Sequence, residues 1–153
     1  MADELFQLYQ DVVLEHNRHP RNYVVLEAAT HHGRGYNPLC GDRIELMLDV
    51  DDSGVIRAVG FQGDSCAIAT ASASLLTEVL QDATLARARE LMAAFRSTLA
   101  GEPQPLPEAL EPLRAVRQFP SRIKCANLPW ASLEAALAGD EVASTEEPFR
   151  HGT

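Results

Sequence analysis

Basic charge is scarce in this sequence: thirteen lysines and arginines stand against twenty-two aspartates and glutamates, the net charge is −9, and no Lys/Arg run interrupts that balance. Such a chain carries no electrostatic footprint for a phosphate backbone, which excludes nucleic acid as an expected partner. Long apolar runs are missing too. The opening MADELFQLYQDVVLEH is acidic and amphipathic, with neither a basic n-region nor a continuous apolar h-region, and no later segment approaches membrane-spanning length. The expected setting is the cytoplasm, with no membrane partner. Cysteine occurs only three times, never as Cys-x-x-Cys. In a reducing compartment three thiols make no complete disulfide framework, which favours metal binding or thiol chemistry over cross-linking. GFQGDSC has two glycines but lacks the spacing and the basic residue of a phosphate loop, and no internal repeat is visible.

What is present fits one compact domain, since 153 residues suffice for one real core and fall short of two. Leu5, Leu8, Tyr9, Val12, Val13 and His16 recur at helical spacing and predict an opening helix that ends near NRHPRNY, with His16 and His19 serving its C-terminal end. A strand is expected before Tyr36. From Arg43 the period becomes two, with Ile44, Leu46, Leu48 and Val50 on one face and Arg43, Glu45, Met47 and Asp49 on the other. DDSG then turns the chain into VIRAVGFQG, which predicts an antiparallel hairpin. AIATASASLLTEVL reads as a close-packing helix of small residues, and Leu85 to Leu99 as an amphipathic one stopped by Gly101. Five of the nine prolines lie between 103 and 120, so a connection with at most a short helix around 108–116 is expected there. A last helix should begin at about Ser121 or at Pro129 and reach Ala138. Residues 139–153 read as an acidic, mobile tail after a domain spanning 1–138.

The three cysteines share a context. Cys40, in NPLCGD, follows a proline turn and precedes Gly41; with Gly41 extended, Asp42 points to the same side as Cys40. Cys66 falls between a strand ending near Gly63 and a helix starting near Ala67, with Asp64 or Ser65 available as N-cap, and a helix N-terminus favours thiolate. Cys125, in RIKCANLPW, follows Lys124, whose ammonium also favours thiolate. Any one cysteine alone reads as a small buried hydrophobe. Three thiolates and one carboxylate together suit a tetrahedral zinc ion, with Asp42 alternatively a turn-capping carboxylate. His31 and His32 are adjacent, point apart in an extended chain and are expected at the surface.

NPLCGDRI, GFQGDSCAIATASASLLTE and RIKCANLPW, in that order and together with the early HNRHPRN, resemble the IscU-like (NifU N-terminal) iron–sulfur cluster assembly proteins over roughly residues 4–138. The long stretch between Cys66 and Cys125, and Lys124 where other scaffolds carry histidine, point to the SufU-type branch. The resemblance implies an α+β fold in which a small antiparallel three-stranded sheet packs against a layer of about four to six helices. It also implies zinc held by Cys40, Asp42, Cys66 and Cys125, and sulfur accepted from a cysteine desulfurase of the SufS type for a downstream iron–sulfur scaffold complex. Cys40, on a glycine-flanked loop end, is the expected sulfur acceptor. Two alternatives stay open: a scaffold that assembles a transient [2Fe-2S] cluster or holds iron on the same thiolates, and a zinc-stabilised adaptor without sulfur chemistry. A cysteine hydrolase is disfavoured because no histidine shares a motif with a cysteine. The departures from the family pattern are THHGRGY before the first motif and Pro129, a candidate for shortening the last helix.

Overall fold

The computed structural model describes residues 2–38, 41–139 and 142–144. Helix α1 (Ala2–Arg18) leads into strands β1 (His31–Asn37), β2 (Asp42–Val50) and β3 (Ile56–Asp64), then helices α2 (Ala67–Leu80) and α3 (Leu85–Leu99). A 3₁₀ helix (Glu108–Gln118), helix α4 (Pro120–Ala138) and a short strand β4 (Val142–Ser144) complete the order. The sheet runs β3-β2-β1-β4, with β1, β2 and β3 antiparallel and β4 parallel to β1. The α+β class and the antiparallel three-stranded sheet are therefore as expected. The added strand falls within the stretch read as a tail, whose remainder beyond Gly139 lies outside the described residues. No described helix is long and apolar enough to cross a membrane.

Period-two patterning sends Ile44, Leu46, Leu48, Val59 and Phe61 to the inner face, where they are buried beneath the helices. On β1 the inward positions are Gly33 and Gly35. A Cβ at Gly33 would run into the Ser132 carbonyl oxygen, and one at Gly35 into the Ser132 hydroxyl. Glycine is what lets α4 lie directly on β1, and that contact sets the depth of Cys125. Asp51 closes the β2–β3 turn by accepting the Ser53 and Val55 N–H groups at 2.9 and 3.0 Å. Those bonds, the one from Val55 foremost and then the Arg57 guanidinium, hold its carboxyl below the usual range.

Met47 faces outward as its period requires, yet it is only 2% exposed. The segment after α1 crosses that face: the Leu26 N–H donates to Met47 Sδ at 3.5 Å and the Val24 carbonyl presses on Gly60. His16 likewise does more than serve a helix end. It is buried, with Nδ1 2.7 Å from Ser74 Oγ, which also accepts the Arg21 N–H at 2.8 Å. This pins α1 and the crossing segment to α2. Pro129 does not shorten α4, which runs unbroken through it. Leu128, Pro129 and Trp130 are all buried, and that packing outweighs the hydrogen bond a helical proline forfeits.

Candidate metal centre

The β1–β2 connection is fixed by the pairing of Asn37 with Asp42 and by the Gly41 N–H, which donates to the Asn37 carbonyl at 2.8 Å. Gly41 has φ +74, the left-handed region that a glycine enters without strain, and not the extended conformation under which Asp42 would share a side with Cys40. A four-residue connection between paired strands must reverse direction, and a left-handed residue accomplishes that. Cys40 lies outside the described residues, so the geometry below concerns three of the four expected ligands.

Asp42 opens β2 on the inner face and is 4% exposed. Its Oδ1 accepts the Cys66 N–H at 3.0 Å, whereas its Oδ2 is buried with no hydrogen-bond partner. Cys66 is itself the N-cap of α2: its backbone is extended, and its Sγ accepts the Ala69 N–H at 3.4 Å. Neither expected cap takes that place. Asp64 is still paired in β3 with Arg43, and the Ser65 hydroxyl is 2.8 Å from Thr70 Oγ1. Cys125 lies in the second turn of α4, fully buried.

Folding brings one ligand atom each from Asp42, Cys66 and Cys125 within 4.8 Å of one another. Thiolates on one zinc at about 2.3 Å in tetrahedral geometry stand roughly 3.8 Å apart, so small side-chain rotations suffice to close the set. The chemistry of the donors fits as well. A buried carboxylate oxygen without a donor is costly unless a cation meets it, and two adjacent cysteine sulfurs are what a soft divalent ion prefers.

Sequence reasoning placed Tyr9 only in a core stripe. In the fold its ring joins Phe6 and Phe119 in an aromatic cluster, with centroids 6.2 and 6.1 Å away. Burial raises the Tyr9 pKa; the nearby Arg122 lowers it, and negative charge on Cys66 and Cys125 raises it again. The phenol therefore stays protonated at neutral pH. Its signal in the sequence was weak, because a tyrosine at helical spacing reads as core. His31 and His32 are not brought to the site: His31 Nδ1 meets Thr30 Oγ1 at 2.8 Å, and exposed His32 faces Glu45 at 4.0 Å. Lys124 is exposed on α4.

The fold and this donor set define a class: a small α+β domain that gathers cysteine and aspartate donors where one strand and two helices meet. The chain belongs to the NifU-like N-terminal domain family, whose pattern it matches over residues 8–139. It is 34% identical to the zinc-dependent sulfurtransferase SufU of Bacillus subtilis over 88% of this chain and 92% of that one. It is 33% identical to the iron–sulfur cluster assembly scaffold protein IscU of Streptococcus pyogenes, covering 88% and 85% respectively. Among solved structures it superposes with TM-score 0.76 on an iron–sulfur cluster assembly scaffold of the SUF system from Fervidobacterium islandicum, at 28% identity over 86% of this chain and 97% of that one.

Proposed function

We propose that this protein is a sulfur relay of iron–sulfur cluster assembly, holding one zinc ion with Cys40, Asp42, Cys66 and Cys125 and accepting sulfur on Cys40 from a cysteine desulfurase. The observation that carries the reading is the convergence of Asp42, Cys66 and Cys125, with one Asp42 oxygen buried and unpartnered. The similarity to a zinc-dependent sulfurtransferase supports the relay reading, and so does Lys124, at the position where the family resemblance implies histidine in classical scaffolds. Bound zinc would supply a positive charge that keeps the cysteines deprotonated at neutral pH.

The chain's own residues do the rest. Asp42 and Cys66 hold each other through the Cys66 N–H, and Cys125 completes the inner side from α4. In the transfer step the Cys40 thiolate attacks the outer sulfur of the desulfurase persulfide. A new Sγ–S bond forms on Cys40, the donor's S–S bond breaks, and its electron pair leaves with the desulfurase thiolate. No external oxidant or reductant is consumed. Incubation with a SufS-type desulfurase and cysteine, followed by thiol blocking and peptide mass spectrometry, should find one added sulfur on Cys40, and Cys40→Ala should abolish stimulation of the desulfurase. Label on Cys125 alone would reject Cys40 as acceptor. Iron retained as a [2Fe-2S] cluster, with neither label nor stimulation, would establish the scaffold reading in place of the relay.

A further inference from the structure

The three elements that carry Asp42, Cys66 and Cys125 are tied pair by pair. The Cys66 N–H on Asp42 Oδ1, at 3.0 Å, joins α2 to β2. The Ser72 hydroxyl donates to the Ala126 carbonyl at 2.7 Å, joining α2 to α4 one residue beyond Cys125. The Ser132 hydroxyl joins α4 to β2, with 3.1 Å to the Ile44 carbonyl and 3.2 Å to that of Leu128 in its own helix. Ser72 and Ser132 are both 0% exposed.

We propose that Ser72 and Ser132 are positioning residues for the metal centre, fixing the axial register of α2, α4 and β2 so that the donor atoms converge before metal arrives. The inference rests on the reading of Asp42, Cys66 and Cys125 as ligands. Its physical basis is leverage. A slip of one residue along α4 carries Cys125 about 1.5 Å along the axis and about 100° around it, enough to remove its sulfur from the cluster. Pro129, which has no backbone N–H, interrupts the hydrogen-bond ladder of α4 in the turn that begins at Cys125. The Ser72 bond lands on the very next carbonyl. Trp130 Nε1–H donates to Ser72 Oγ at 3.2 Å, and its ring stacks on Phe95 at 4.8 Å, which leaves the serine hydrogen directed at Ala126. Neighbouring Ala71 and Ala73 are also fully buried, so packing alone is met here by alanine. A buried hydroxyl costs stability unless its bond matters.

The test uses full-length protein loaded with cobalt(II) under anaerobic conditions. Ser72→Ala alone strands the Trp130 N–H, so the informative variant is Ser72→Ala with Trp130→Phe, which removes both polar partners together. The metal-free double variant should stay folded with a lowered melting temperature, because phenylalanine leaves a cavity where the indole was, while binding cobalt about tenfold more weakly, the low end for a lost supporting contact, with shifted ligand-field bands. Ser132→Ala should shift the same bands less. Parental bands in both variants would overturn the proposal, and so would weaker binding with unchanged bands, because lost stability alone produces that. Should the double variant fail to fold, the bands of Ser132→Ala decide. Cys125→Ser is the control: if it also leaves the cobalt spectrum unaltered, the failure belongs to the ligand reading and not to the serines.

Discussion

At α2 the cysteine is the N-cap, partly open, with its sulfur accepting a backbone N–H; in α4 the cysteine is the sixth residue and fully buried. Cys66 thus takes the place that serine or aspartate usually fills, and one sulfur both caps a helix and faces the centre. Cys125 lies inside its helix, and its depth follows from α4 lying on Gly33 and Gly35. The difference teaches that one donor is organised by local backbone chemistry and the other by tertiary packing, so the two should answer differently to the same substitutions.

The largest effect expected erases that difference. Cys66→Ser and Cys125→Ser should each abolish stoichiometric zinc and lower the melting temperature of the isolated protein, since metal binding and folding are coupled. Elemental analysis with a thermal melt checks both, and full zinc in either variant breaks the account at that helix. Asp42 comes next. Asp42→Ala should weaken zinc less than loss of a cysteine, because water can occupy the vacated position. Asp42→Asn should keep an acceptor for the Cys66 N–H and so preserve metal-free stability better than alanine does. A competition titration and a metal-free melt separate the two roles.

In metal-free protein the two helices should respond differently to the same pair of substitutions. Cys66→Ser should be about 1 kcal/mol more stable than Cys66→Ala, because serine caps a helix and alanine does not. Cys125→Ser should show no such capping gain over Cys125→Ala, because position 125 lies in the second turn of α4, away from the helix end. Denaturant unfolding of the four variants reads this directly, and an equal gap at both positions would erase the distinction.

The smallest effect concerns the far side of α2. Burial, and then the Arg21 guanidinium, hold the His16 pKa below its usual value, against the opposing pull of Glu78 and Glu15. A depressed histidine contributes stability that is present above its unfolded pKa, near 6.5, and is lost as pH falls through the lower folded value, because the unfolded chain binds the proton more readily. Unfolding free energies of His16→Gln between pH 8 and pH 5 should therefore fall less with acidification than those of the parent. Parallel curves would remove His16 from the account.

Much of this was legible in the sequence. The bounds of α2 and α3 follow from periodic apolar residues and clear stops, and the β2–β3 hairpin from alternation around DDSG. Asp42, Cys66 and Cys125 could be singled out because each motif places its donor at or near the end of an element. What could not be read depends on contacts between distant residues. The burial of outward-facing Met47 needs the crossing segment, and the unbroken helix through Pro129 needs its burial partners. The cap at Cys66 depended on how far β3 runs, and the left-handed Gly41 on strand pairing, because glycine accepts either conformation. The buried serines read as small residues for close packing, since nothing local shows where their hydroxyls point.

Zinc K-edge X-ray absorption on anaerobically purified protein reads the donor set of the centre itself. One zinc per chain is expected, with three sulfur neighbours at about 2.3 Å and one oxygen at about 2.0–2.2 Å, the sulfur count falling to two in a Cys40→Ser sample that still retains metal. A shell of oxygen and nitrogen alone, or three sulfurs persisting in Cys40→Ser, would contradict it.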